Sequence, residues 1–404
     1  MYAVGVDVSK GKSMVAVVAP LGKVIIQPFE VTHTSSALGQ LTQTLKALDG
    51  EVRVVMEHTG RYYESIAAFL HDAGFFVSGV NPLLITQYGN NTIRKVKTDK
   101  ADAVKIAKYA LDNWSDLNQY TPVDHIRYNL KTLNHQYLHF TKIKSSEKCN
   151  LIELLEQTFP GANQFFTSPV RKDGSQKWID FVFEFWHVDC VRNLSQPAFV
   201  EKYHKWCSRH GYDFNENKAK KIHIKAKELI ALISKSSSVK LMIKQAVSLL
   251  LATSRTVEAI REEMITLAAQ LPEYPIVRDM FGVGPTTGPQ LIAEIGDISR
   301  FQRKQALVAY AGVDPSVNQS GMHVSKSGSC SKRGSPYLRK TLFMIMTAFM
   351  QHSPVEQPIY QFLDRKRAEG KPYYVYMTAG ANKFLRIYYG KVRDYLNSVV
   401  AVAS

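Results

Sequence analysis

Apolar and polar residues alternate with a period of two through Tyr2-Ala3-Val4-Gly5-Val6-Asp7-Val8, which predicts a short, half-buried strand with Asp7 at its end. A second β-rich run, Ser13 to Val18, follows Ser9-Lys10-Gly11-Lys12. After the turn Pro20-Leu21-Gly22-Lys23 a third extends from Val24 to Val31, so the chain opens as a three-strand meander. The period then changes. Leu38, Leu41, Leu45 and Leu48 recur at three- and four-residue steps and predict a helix from Ser35 to Leu48. Val52 to Met56 reads as a fourth strand ending at Glu57, and a helix over Tyr62 to Ala73 leads to a fifth strand over Phe75 to Val80, closed by Asn81-Pro82. Thr98 is placed to cap a helix beginning at Asp99. The order βββαβαβα suits a mixed sheet: an antiparallel meander whose first strand lies beside two parallel strands supplied by right-handed crossovers.

That topology has a chemical consequence. Asp7 and Glu57 become neighbours at strand ends, and Asp99 and Asp102, three apart, share one face at a helix N-terminus that favours negative charge. Carboxylates crowded together repel and raise one another's pKa, so a cluster of four is stable mainly when a cation neutralises it. All-oxygen ligation points to magnesium or manganese. Two such ions roughly 4 Å apart can hold the attacking and leaving oxygens of an in-line phosphoryl displacement, which makes a nucleic-acid backbone the substrate class. Any one of these acids alone reads as a solvated turn residue or a complement to the helix dipole; the four together favour the metal site.

Charge agrees with that substrate. Lys plus Arg number 51 against 35 Asp plus Glu, a formal net charge of +16 that favours polyanions by releasing their counterions. It does not distinguish DNA, RNA and a membrane surface. The 404 residues allow two or three domains, and the 45% hydrophobic fraction is ample for packed cores. No apolar run reaches the length of a membrane span, and the N-terminus lacks a signal-peptide pattern, which predicts a soluble, cytoplasmic protein with no membrane partner. Cys149, Cys190, Cys207 and Cys330 are scattered without CxxC spacing, so neither a zinc ribbon nor a disulfide framework is indicated.

Beyond the acids the pattern is mostly helical. Leu130, Leu133, Leu138, Leu151, Leu154 and Leu155 mark an apolar face from about Val123 to Thr158, ended by Pro160-Gly161. Residues 161–216 read as irregular and aromatic-rich, with Trp178, Phe181, Phe183, Phe185, Trp186, Tyr203 and Trp206, and fit a small packed insert. A long helical stretch from about Lys218 to Leu271 opens with Lys218, Lys220, Lys221, Lys225 and Lys227. It is either a solvated basic helix or a coiled coil that pairs subunits and lays lysines on a phosphate backbone. Further on, Gly282-Val283-Gly284 makes a tight turn into a helix and offers backbone N–H groups to a phosphate, unless it is a plain helix-helix turn. Between Asp314 and Glu356 there is no acid, while Lys326, Lys332, Arg333, Arg339 and Lys340 accumulate with His323 and several serines; a backbone-contacting loop or a solvated one would look like this. The C-terminal tyrosines Tyr373, Tyr374, Tyr376, Tyr388, Tyr389 and Tyr395 suit base stacking or, at helical spacing, a core.

The segments Gly5-Val6-Asp7, Glu57-His58-Thr59-Gly60, Val80-Asn81-Pro82, Lys97-Thr98-Asp99-Lys100-Ala101-Asp102-Ala103, Gly282-Val283-Gly284, Ala309-Tyr310-Ala311-Gly312, Gln319-Ser320-Gly321 and Ser331-Lys332-Arg333-Gly334 resemble, in order, those of the DEDD-type insertion-sequence transposases, insertion-sequence family 110. The resemblance implies a RuvC-like (RNase H-fold) α/β domain over 1–114 with a mixed five-stranded sheet. It implies a helical coiled-coil region over 115–271 carrying the insert at 161–216, then a mainly helical transposase domain over 272–404 with a helix-hairpin-helix-like turn. Asp7, Glu57, Asp99 and Asp102 match the family's metal-binding acids, with magnesium or manganese as cofactor. Ser320 matches its nucleophile, which bonds covalently to a DNA phosphate. Lys97, Gly282, Gly284, Lys326, Lys332, Arg333, Arg339 and Lys340 are the positions expected to contact nucleic acid. The expected partners are DNA, a guide RNA encoded in the element, and further copies of the chain in a dimer or tetramer. The rival readings are a metal-dependent junction resolvase that uses water and leaves Ser320 idle, and a nucleic-acid-binding regulator on an inactive nuclease scaffold.

Overall fold

The computed structural model describes residues 1–58, 62–88, 98–122, 124–171, 173–315, 319–320, 323–324 and 330–403, with the backbone alone at 319–320, 323–324, 400 and 402–403. The chain divides into two units, 1–123 and 124–404. In the first, β1 (Tyr2–Val8), β2 (Lys12–Ala19) and β3 (Lys23–Thr32) form the antiparallel meander. β4 (Val52–Glu57) and β5 (Phe76–Val80) join in parallel on the other side of β1, giving the order β3-β2-β1-β4-β5. This is the mixed five-stranded sheet expected from the alternating runs. The helices are α1 (Ser35–Lys46), α2 (Tyr62–Asp72), α3 (Pro82–Tyr88) and α4 (Asp99–Asp112). α3 was not expected. Asn81-Pro82 closes β5 as anticipated, but Asn81 also accepts the Leu83 N–H at 3.0 Å and Pro82 takes the first helical position, so the same pair starts a helix.

Alternation along β1 and β4 sorts side chains to two faces. Val4, Val6, Val54 and Met56 join Leu38, Leu41 and Leu45 of α1 and Ile66 and Leu70 of α2 in one core. Ala3 and Val55 face the other way, against Ile106, Ala107 and Ala110 of α4. At Gly5 this second layer comes closest, because an added Cβ would lie 2.0 Å from the Ala103 carbonyl oxygen. Only glycine lets α4 sit this low on the sheet.

The second unit is helical. α5 (His125–Thr158) and α10 (Ser237–Ala268) run antiparallel: Leu130 shares a core with Met264 and Ala268, whereas Leu151 and Leu155 share another with Val239, Ile243 and Val247. The apolar stripe of α10 thus finds a partner within its own chain. Two expectations change here. Residues 161–216 are not irregular but contain α6 (Lys177–Glu184), α7 (Asp189–Arg192) and α8 (Gln196–His210). Ser195 and Gly211 cap α8, and its buried face is aromatic (Phe199, Tyr203, Trp206), which obscured the helical period. The stretch from Lys218 is not continuous either. α9 (Glu216–Glu228) stops before Leu229–Ser236, where Ser236 caps α10 by accepting the Val239 N–H and His187 Nε2 lies 2.9 Å from the Ile233 carbonyl. α11 (Tyr274–Arg278), α12 (Thr287–Ile295), α13 (Lys304–Ala311), α14 (Pro336–His352), α15 (Pro358–Ala368) and α16 (Tyr373–Ala403) complete the unit, with β6 (Gln319–Ser320) and β7 (His323–Val324) as a small hairpin. The four cysteines are free, and among the described residues no helix is long and apolar enough to cross a membrane.

Candidate active site

Gly5 and Asp7 lie on the same face of β1, and Val55 and Glu57 on the same face of β4, whose register pairs Gly5 with Val55 and Val6 with Met56. That face is the one covered by α4. The carboxyl ends of β1 and β4 therefore deliver Asp7 and Glu57 toward the helix that carries Asp99 and Asp102 in its first turn. Thr98 fixes that turn, its hydroxyl accepting the Ala101 N–H at 3.2 Å and its carbonyl the Asp102 N–H at 2.9 Å. Burial first, and then the charges of Asp99, Asp102 and Glu57, together push the Asp7 carboxyl up to about 6. Glu57 is raised as well, first by burial and then by Asp102, with Lys105 and His58 opposing. Lys12 is held protonated by its ion pair with Glu30 and feels Asp99.

The four acids expected to cooperate thus act electrostatically on one another across the sheet edge. They stop short of a finished cage: among the described residues, no three His, Cys, Asp or Glu side chains converge closely enough to hold one ion. An all-oxygen set in which neighbouring charge helps raise Asp7 and Glu57 fits a hard divalent cation, which would take the place of the protons these two otherwise favour.

In the second unit, Ser320 lies in β6 opposite His323 of β7. Its side chain, together with Lys97, Gly321 and Lys326, lies outside the described residues. The base of the segment that carries Ser320 is built from the matching motifs. Gly312 ends α13 at φ +65°, and the Ser331 hydroxyl donates to Asp314 at 2.5 Å. The Lys332 and Ser335 N–H groups donate to the carbonyls of Gly312 and Tyr310. Gly334 backs onto Tyr310 so closely that a Cβ would fall 2.1 Å from its carbonyl oxygen. Arg339 is spent here, donating to Ala311 O at 3.0 Å and Gly334 O at 2.9 Å, so it clamps the loop base. Lys332, Arg333 and Lys340 are exposed.

A buried network missed in the sequence underlies this base. Glu294 of α12 accepts from Asn134 at 2.8 Å and from the Ser335 hydroxyl at 3.0 Å, with His135 Nε2 at 3.1 Å. Burial would raise Glu294, but these partners outweigh it and hold its pKa below the ordinary range. Ser335 also caps α14, so one carboxylate ties α5, α12 and the end of the loop together. The only signal was a single acid inside the otherwise apolar run Leu291 to Ile295. The glycine turn is tight as expected, with Gly282 at φ +80°, but its Gly284 N–H donates to Thr287 Oγ1 at 2.7 Å and α12 is buried from its first turn. The C-terminal tyrosines divide. Tyr376, Tyr388 and Tyr389 are core, whereas Tyr374 is 73% exposed.

Two family models match the chain in order: one described as a transposase (DEDD type, IS110) over residues 4–160, and one described as the transposase IS116/IS110/IS902 family over residues 274–361. The pilin gene-inverting protein of Moraxella bovis is 24% identical over 350 residues, 85% of this chain and 80% of the relative. An uncharacterized 43.6 kDa protein of insertion element IS110 from Streptomyces coelicolor is 22% identical over 392 residues, 96% of this chain and 93% of the relative. Among solved structures, T. thermophilus RuvC in complex with a Holliday junction substrate is 15% identical, with a TM-score of 0.22, covering 29% of this chain and 96% of that one.

Proposed function

We propose, from the premise that this chain belongs to the IS110 family of insertion-sequence transposases, that it recombines DNA by covalent strand transfer through Ser320 under the direction of a guide RNA. A relative named for inverting pilin genes and another named for an insertion element support a DNA recombinase. The observation that carries the chemistry is the raised pKa of Asp7, caused by burial and by three other carboxylates. Asp7, Glu57, Asp99 and Asp102 would hold magnesium or manganese. When bound, such an ion neutralises charge on a scissile phosphate and polarises an oxygen nucleophile.

The steps belong to the chain and the DNA. Ser320 Oγ forms a bond to phosphorus, the P–O bond to the departing strand breaks, and the serine proton ends on the departing deoxyribose oxygen. A hydroxyl of the partner strand then attacks the phosphoserine, and Ser320 leaves and is reprotonated. Bond energy is kept through the exchange rather than lost to hydrolysis. The net charge of +16 suits two polyanions held together, and the family's arrangement implies dimers or tetramers in which acids of one subunit serve the serine domain of another.

Trapping with element-end DNA tests this. A protein–DNA adduct stable to denaturation is expected in the full chain, absent in Ser320→Ala and formed about a hundred- to a thousandfold more slowly in Asp7→Asn, the scale of losing one electrostatic anchor of a transition state. Cleavage that survives Ser320→Ala with no adduct would instead identify water as the nucleophile and the chain as a resolvase.

A further inference from the structure

The second unit contains a cavity of about 1130 Å³ beside both ends of the segment that bears Ser320, with Val313 and Pro315 on the incoming side and Cys330 and Lys332 on the outgoing side. That volume lies at the upper limit of pockets that engulf drug-sized molecules. Its charge is of one sign. Lys332, Arg339, Lys340, Arg365, Lys383 and Arg386 line it, and among the described residues no Asp or Glu does. Arg339 is committed to the loop base, Lys383 also donates to the Pro358 carbonyl at 3.0 Å and Arg365 lies 4.0 Å from Glu369, so that among the described residues Lys332, Lys340 and Arg386 are the cations of the wall with no such tie.

Its aromatic lining is equally specific. Phe343 of α14, Phe362 of α15 and Tyr374 of α16 contribute rings, those of Phe343 and Tyr374 having centroids 6.3 Å apart. Lys383 and Arg365 sit 5.0 and 5.6 Å from the Phe362 centroid, so cations and rings share the wall. An aromatic ring as exposed as Tyr374 gains nothing from the core, and a flat partner stacked on it would take it out of water. Lys332 adds a backbone cost: it holds φ +51°, a left-handed conformation disfavoured for any side chain but glycine, and so presents its ammonium from a strained position.

Cations and ring faces on one wall match a strand whose bases are free to stack, since the bases of a duplex are covered by one another and would leave the rings bare. We propose that this groove holds an unpaired stretch of the DNA strand leading to Ser320, its bases on Tyr374, Phe343 and Phe362 and its phosphates among Lys332, Lys340, Arg365, Lys383 and Arg386. The assignment to DNA rests on reading the Ser320 segment as the place of strand attack, because the groove opens at both ends of that segment.

The test is binding of a short fluorescent single-stranded DNA oligonucleotide to the full-length chain in EDTA, where no cleavage intervenes. Tyr374→Ala should weaken binding roughly tenfold, the scale of one lost base–ring stack, while Tyr374→Phe restores it. The same oligonucleotide made of abasic sugars should bind more weakly and be indifferent to Tyr374→Ala. Lys383→Gln with Arg386→Gln should weaken both oligonucleotides and flatten the dependence of affinity on salt. Because Tyr374 is exposed, an unchanged thermal midpoint accompanies a valid result. An unchanged affinity in Tyr374→Ala overturns the proposal, as does equal, Tyr374-independent binding of the duplex. A tenfold preference for RNA of the same sequence overturns the assignment to the DNA strand. Tyr374-dependent binding of single-stranded DNA in a chain that forms no Ser320 adduct would sustain the groove and remove the strand-attack reading alone.

Discussion

At Asp7, burial and three neighbouring carboxylates favour the protonated acid in the folded chain. The sign follows from linkage: the folded state holds this proton up to about pH 6, while the unfolded chain releases it near the ordinary carboxylate value. Stability from this group is therefore full below about pH 4 and is lost as the pH rises through about 6. Thermal midpoints measured in EDTA should show a downward component over that range, absent in Asp7→Asn, and added magnesium should cancel it by taking the proton's place. If magnesium gives the same increment at pH 5 as at pH 7.5, the cluster is not its site. Asp7 was legible because an acid ending an alternating run has a defined direction. Glu294 was not, because its partner Asn134 lies 160 residues away, and nothing local in α12 says whether a lone carboxylate in an apolar helix is satisfied.

Between elements, the contact of β1 with α4 decides whether the acids meet. Gly5 precedes Asp7 by two residues on the same strand face, so the residue that admits the helix and the residue that uses it are set by one alternation. Gly5→Ala should cost about 1–3 kcal/mol by overpacking against the Ala103 carbonyl and should abolish the magnesium-dependent rise in midpoint while leaving the secondary structure intact. Calorimetry with and without magnesium reads both quantities, and a variant that keeps the metal response would show that α4 does not need this approach. Alternating or β-rich runs exposed β1 to β5, helical spacing exposed α1, and the cap at Thr98 marked the start of α4. Periodicity failed where a face was built from aromatic side chains, as in α8, and where α9 breaks from α10, since Leu229 to Ile233 continues to look helical. Motif resemblance placed Ser320, but the loop base became intelligible only in three dimensions, where Gly312, Gly334 and Arg339 lock one another.

At the scale of the molecule, the sheet-bearing unit has its own cores on both faces of the sheet and lies within the size range of autonomous domains. The fragment 1–123 should unfold in one cooperative thermal transition and keep the pH and magnesium response of the full chain, yet form no adduct with DNA. Its failure to fold would mean that residues 124–404 are needed to complete it. The other unit is organised around α5 and α10, 34 and 32 residues long, each about 50 Å from end to end. The chain goes out along one and returns along the other, with the aromatic core at the far end and the loop base near the start. Entry and exit therefore lie side by side, and whole turns removed in step from both helices would shorten the reach without disturbing what lies at the near end. The length of this excursion can therefore change by insertion and deletion in pairs of turns while the network that joins Asn134 to Glu294 at its near end stays as it is.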